Sequence, residues 1–290
     1  MRHTGFYLKN ANDKNTYTLG SIGSHNIVLA CLPNGQYGTN NAASVLTNML
    51  RSFPSICHGF IVGIGGGVPS RADMRLGDVV VGTRVMQYDL GKFVDGDIQR
   101  TADARIPSYP LRTAVSNLRS KHELEPSRVS TILQDMATRY PEYGHPASPD
   151  RLFRVAYKHE PQLPSCNDCD QSELLSRSSR PPYYPSIHHG GIASGNQVMK
   201  DSIARDNIAR ELDIICFEME AAGLMDVLSC LPIRGICDYS DSHKSKEWQR
   251  YAAATAASYA KELIEILPAS QGKFESLDIH NTRGFVPIDS

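Results

Sequence analysis

Residues 213–225 read "DIICFEMEAAGLM": an apolar run that ends on Glu218 and Glu220 and gives way at once to a helical pattern. A short apolar run bounded in this way reads as a buried strand, and its exchange for helix marks an α/β chain. The segment "PIRGICDYSDSHK" at 232–244 follows, with a second apolar run that finishes on Asp238. A carboxylate at the end of a buried strand costs free energy unless it has partners or chemical work. The two segments therefore set the fold class and the place to look for function.

The same alternation runs outward through the chain. Strands are expected at "YTLGSI" and "NIVLACL", joined by a Gly-Ser-His turn, then at "FIVGI", "DVVVGT", "GGIAS", "DIICFE" and "IRGICD". Helical patterns fall at "NNAASVLTNMLRSF", "LRTAVSNLRSKH", "VSTILQDMATRY", "SIARDNIAREL", "AAGLMDVLS" and "EWQRYAAATAASYAKELIEIL". This is the pattern of a mostly parallel, buried sheet flanked by helices in a single α/β domain. Residues from about 141 to 189 break the rhythm with proline, serine and charge, too long for an ordinary connection, and read as an insertion or lid. The expected organisation is a loosely held N-terminus over 1–15, one domain over 16–267 carrying that insertion, and a tail over 268–290.

Charge and composition narrow the function class. With 30 basic against 31 acidic residues, a net charge of −1 and no basic cluster, the chain has no footprint for nucleic acid or a membrane surface. A small molecule is the expected partner. Seven cysteines is an odd number, and Cys31, Cys216 and Cys237 lie in apolar runs where free thiols pack as small hydrophobes. Together with the lack of an apolar leader or span, this reads as a soluble, cytoplasmic chain.

Four motifs carry chemistry. In "VGIGGGVPS" at 62–70, Gly63 and Gly65 open a dinucleotide fingerprint, but its third glycine falls on Val68 and no helix follows. The glycines remain able to bring backbone close to a ligand, with a plain tight turn as the other reading. "PNGQYGTNNAA" runs through Gly38 to a helix start with Thr39 or Asn40 as N-cap, a place for an anion or polar ligand. Glu218 and Glu220, two apart, share one face of an extended stretch, where a carboxylate can accept both hydroxyls of a diol, unless one of them caps the next helix. Asp238 ends a strand among apolar residues, where desolvation raises a carboxyl pKa and suits it to general acid work; Asp241 reads as a helix-entry cap. "CNDCD" at 166–170 has the spacing of half a zinc site, with His188 and His189 downstream, but no second pair at finger-like spacing, and reads as a plain loop pair.

In their order, "GQYGTNNAA", "GIGGGVPSRADMRLGDVVVGT", "GGIASGNQVM", "CFEMEAAG" and "RGICDYSD" resemble the successive motifs of the nucleoside phosphorylase and nucleosidase superfamily. The likeness spans about residues 16–267 and is greatest to the nucleoside phosphorylase-like domains of fungal immune-receptor-like proteins. It implies a mixed, partly barrel-like central sheet and action on the N-glycosidic bond of a purine nucleoside or nucleotide. By the same resemblance Asp238 protonates or hydrogen-bonds purine N7, Glu220 holds the ribose hydroxyls with Met219 beneath the sugar and Glu218 beside it, and Val198, Met199 and Asn196 line the base pocket. Gly65, Gly66, Gly38 and Thr39 fall at the nucleophile or anion site. No cofactor or metal is implied, and a homo-oligomer is.

Two departures bear on mechanism. Ile64 stands where members commonly carry a small hydroxyl residue for phosphate or water, which favours a hydrolase over a phosphorylase. Related domains also open with a strand and a water-activating glutamate, and here the first strand-like run is already the hairpin at Tyr17. A purine nucleosidase, a phosphorylase with an unusual anion site, and a nucleotide-binding pseudoenzyme are the three readings that result.

Overall fold

The structure, a computed structural model, describes residues 10–268 apart from residue 182. The expected 1–15 N-terminus and 268–290 tail therefore lie largely outside the described residues. The chain opens with an antiparallel hairpin of β1 (Tyr17–Ile22) and β2 (His25–Ala30), followed by α1 (Thr39–Ser52), β3 (Phe60–Gly67) and β4 (Val79–Gln87). A second hairpin, β5 (Gly91–Val94) and β6 (Asp97–Arg100), precedes α2 (Tyr109–His122) and α3 (Val129–Arg139). Then come β7 (Ile187–Ser194), α4 (Ser202–Leu212), β8 (Ile214–Glu218), the short α5 (Ala221–Met225), β9 (Leu231–Asp238) and α6 (Gln249–Ile266).

Five strands close into a barrel in the order β3-β8-β7-β4-β9. β3 runs parallel to β9, and β7 parallel to both β4 and β8; short antiparallel pairings of β4 with β9 and β3 with β8 complete the circuit. The mixed, mostly parallel, barrel-like sheet expected from the motifs is the one observed. Its strands read as continuous apolar runs because both faces are covered. Val79 and Val81 of β4 pack outward with Leu231 and Ile233 of β9 against Leu111 and Leu118 of α2, Leu133 of α3 and Leu263 of α6. Val80, Ile192, Cys216 and Ile236 fill the interior, where Leu46 of α1 and Met225 of α5 join them. A third cluster seats Ile208 and Ala209 of α4 against Ala193 and Phe217.

Three sequence expectations are corrected. The glycines of "VGIGGG" do not form a turn: they are the C-terminal half of β3, with a bulge between Gly65 and Gly66. Cys31 is exposed, whereas Cys216 and Cys237 are buried as expected. β7 starts at Ile187, so the last residues given to the insertion belong to the barrel. The rest of that segment docks on the loop that follows β9: Arg177 pairs with Asp150 at 2.8 Å, both bond Tyr239 Oη, and His159 N donates to Ser242 Oγ at 2.9 Å. No helix among the described residues is long and apolar enough to cross a membrane.

Candidate active site

β8 and β9 deliver Glu218 and Asp238 to neighbouring places on the barrel wall. Side chains alternate along a strand, so Cys216 and Glu218 share one face of β8, while Arg234, Ile236 and Asp238 share one face of β9. Cys216 and Ile236 pack together in the barrel interior, which fixes that face as the inner one. β3 lies between the two acids, with Gly66 paired to Phe217 on one side and to Asp238 on the other. A Cβ at Gly65 would press on Cys216 Sγ at 2.6 Å, and one at Gly66 on Asp238 Oδ1 at 2.7 Å. Bare backbone is what lets both carboxyl-bearing strands close on β3 here.

Asp238 is buried and fully engaged. Its Oδ1 accepts from Ser240 N at 2.8 Å, and its Oδ2 lies 3.3 Å from Cys237 Sγ and 3.1 Å from Lys244 Nζ. Ser240 takes the left-handed conformation, φ 54°, to turn its N–H back onto the carboxylate. Lys244 also reaches Met199 O at 3.4 Å and so ties the loop after β9 to the loop after β7.

Glu218 plays a different part. It accepts from Glu220 N at 3.1 Å and from Ala221 N at 3.0 Å, capping α5, while Ser194 Oγ accepts from Ala222 N at 2.9 Å. Its Oε2 bonds the buried guanidinium of Arg234. Glu220 lies 3.5 Å from the same guanidinium and keeps its side chain 20% exposed, so it is the one of the pair that a ligand can reach. Burial pushes the Glu220 carboxyl above its ordinary value and Glu218 adds to the rise, against the pull of Arg234 and of backbone N–H groups at Met219 and Gly38. Burial opposes the charge on Arg234, but Glu218 and Glu220 outweigh it and hold the guanidinium protonated. The Cys216 thiol is raised chiefly by burial, with Glu218 and Asp238 adding to the rise and Arg234 and Lys244 opposing it.

The glycine-to-helix motif meets the same place from outside. Gly38, φ 96°, is the N-cap of α1, and neither Thr39 nor Asn40 caps it through a side chain. Instead Asn196 Oδ1 accepts from Thr39 N at 3.0 Å and from Thr39 Oγ1 at 3.2 Å, while its amide N donates to Asp89 Oδ2 at 3.1 Å. A Cβ on Gly223 of α5 would overlap the Thr39 carbonyl, so α1 and α5 cross at backbone distance. Val198 is exposed, Met199 and Met219 are half-buried, and Met199 leans on the α4 cluster. Asp241 caps no helix; it accepts from His243 N at 2.9 Å inside the loop, and α6 begins only at Gln249.

No motif assigns a site role to Arg234, Lys244 or Ser194. An arginine inside "LPIRGICD" is the one of the three that left a trace, since a charge at an inward position of a buried strand needs a partner.

The sequence matches the phosphorylase superfamily over residues 6–269. The chain belongs to that family. Among curated members it is 41% identical over 263 residues to a nucleotide-binding leucine-rich repeat (NLR)-like protein of Hyaloscypha variabilis, an alignment covering 88% of this chain but only 26% of that protein. It is 22% identical over 255 residues to the 5′-methylthioadenosine/S-adenosylhomocysteine nucleosidase of Mycobacterium bovis, covering 86% and 84% of the two chains. Solved structures share the fold: the 5′-methylthioadenosine/S-adenosylhomocysteine nucleosidase of Neisseria meningitidis superposes with TM-score 0.56 at 18% identity over 89% of both chains. The futalosine hydrolase of Helicobacter pylori gives 0.55 at 16% over 89% and 88%.

Proposed function

We propose that this chain cleaves the N-glycosidic bond of a purine nucleoside or nucleotide, with water as the acceptor. The observation that supports this reading is the meeting of an Asp238–Lys244 pair and a Glu218–Glu220–Arg234 cluster around the glycine end of β3, Gly65–Gly67. Heterolysis of C1′–N9 puts positive charge on the ribose and negative charge on the departing base. Asp238 in its protonated form donates to N7 of the base, and Lys244 beside it steadies the carboxylate that the transfer leaves. Glu220 accepts the 2′ and 3′ hydroxyls and, being anionic, favours the ribosyl cation; Glu218 and Arg234 hold it in place. Met219 packs under the sugar, and Val198 and Met199 flank the base.

Water is favoured over phosphate by the charge of the cluster. Arg234 is already shared between two carboxylates, so a phosphate dianion beside it would face net negative charge. The Thr39 N–H at the start of α1 is given to Asn196, and Ile64 offers no hydroxyl. The test is to incubate the purified chain with adenosine, inosine, guanosine and ATP, with and without phosphate, and to chromatograph the products. Free base with ribose, or with ribose triphosphate from ATP, formed independently of phosphate is the expected result. Ribose 1-phosphate that appears only with phosphate would overturn the choice of water. Nucleotide binding by calorimetry without any product would replace the enzyme by a binding module.

A further inference from the structure

The cysteine pair of "CNDCD" is not the isolated loop pair its spacing suggests. The fold brings His159 from the same segment to it, so that one ligand atom each of His159, Cys166 and Cys169 lies within 4.8 Å of the others. From a different part of the chain, the loop after β9, comes His243: its Nδ1 is 3.7 Å from Cys166 Sγ and 3.9 Å from Cys169 Sγ. His188 and His189 take no part, His188 being bonded to Asp78 at 2.9 Å. We propose that His159, Cys166, Cys169 and His243 form a structural zinc site of the Cys₂His₂ type.

Three observations carry this. Bonds of about 2.3 Å to sulfur and about 2.0–2.1 Å to nitrogen set tetrahedral ligand atoms roughly 3.5–3.8 Å apart, so the His243 nitrogen-to-sulfur separations of 3.7 and 3.9 Å come close to those of ligands around one ion. His243 Nε2 lies 3.3 Å from Tyr157 O; donating its proton there leaves Nδ1 as the lone-pair nitrogen facing the sulfurs, the outer contact that metal-bound imidazoles usually make. The ring itself is clamped, stacked on Phe153 with centroids 4.1 Å apart and on Tyr157 at 5.4 Å. Two soft thiolates with two imidazoles in a closed, partly buried cluster select zinc among common divalent ions. A redox dithiol fits less well, since Cys166 and Cys169 begin no helix whose N-terminus would hold a thiolate.

The site would staple the 141–186 segment to the loop that follows Asp238. His243 precedes Lys244, whose ammonium lies 3.1 Å from Asp238 Oδ2, so the metal would fix the approach of that lysine. The site stands on its own geometry, and its test does not use activity. The full chain, produced in zinc-supplemented medium and purified without chelator, should contain about one zinc per chain by elemental analysis. Exchange with Co²⁺ should give the intense visible bands and thiolate charge-transfer absorption of a tetrahedral centre. The double variant Cys166→Ser/Cys169→Ser and His243→Ala should each lose the metal, and chelation should lower the thermal midpoint of the wild type. Wild-type protein with neither zinc nor a cobalt spectrum would overturn the proposal without reference to any variant. Zinc retained in the double cysteine variant, or a Cys166–Cys169 disulfide found by mass analysis of the native chain, would do the same.

Discussion

Asp238 and Glu220 are held in contrasting ways, and the contrast sets what each substitution should do. Asp238 is locked by Ser240 N and Lys244, so Asp238→Asn keeps the shape and one acceptor while abolishing the acid form that would pass a proton to the base. Turnover should fall by at least about 10²-fold with the thermal midpoint little changed; unchanged product formation in the purified variant would move the acid elsewhere. Glu220 is partly open and contacts Arg234 only at 3.5 Å. Glu220→Ala should therefore weaken ribonucleosides more than their 2′-deoxy analogues, which already lack one hydroxyl. Competition binding with both sugars checks this, and equal losses would remove the diol contact. Both acids were legible in the sequence because they terminate apolar runs. Lys244 was not, because an exposed-looking lysine in "SDSHK" gains its meaning only when the loop folds back on the strand it left.

Where β9 and α6 meet, the strand offers Gly235 and the helix its alanines. A Cβ at Gly235 would overlap the carbonyl of Ala252, so the two elements touch backbone to backbone. Gly235→Ala should destabilise the fold by about 3 kcal/mol, in the range of overpacking, measurable as a lower midpoint in denaturant. A change under about 0.5 kcal/mol, the size of a neutral surface substitution, would mean that the helix slides freely. Most element types could be read from periodicity, since buried strands and amphipathic helices have distinct patterns. The β5–β6 hairpin could not be read that way because all four residues of β5 are exposed, leaving no apolar alternation. Its one signal was the Asp95-Gly96 pair, which takes positive φ at both residues, 51° and 89°, as a two-residue hairpin turn requires. The glycines of β3 misled in the opposite direction, reading as a turn because glycine is rare inside strands unless another group approaches closely.

The barrel imposes a pH dependence of its own. His189 sits on β7 with Nε2 buried and without a hydrogen-bond partner among the described residues. Burial, helped by Arg119, His188 and His122, pushes its imidazole from 6.5 down to about 4. The unfolded chain thus binds more protons than the folded one between those values, so stability is full above 6.5 and falls as the pH drops towards 4. Thermal midpoints measured across this window should decline more steeply in the wild type than in His189→Phe; parallel curves would exclude His189 as the titrating group. Barrel closure was not derivable from the hydrophobic pattern, which marks strands without naming their partners. It depends on β9, the last barrel strand in the chain, pairing with both β3 and β4, the first two. During synthesis, four strands must therefore wait with two unsatisfied edges until the fifth leaves the ribosome. Pairings of such long sequence separation form slowly, and open edges in the interval invite association between nascent chains. Recovery of this protein from a heterologous host should accordingly follow chaperone supply and growth temperature, while the midpoint of the purified product stays the same.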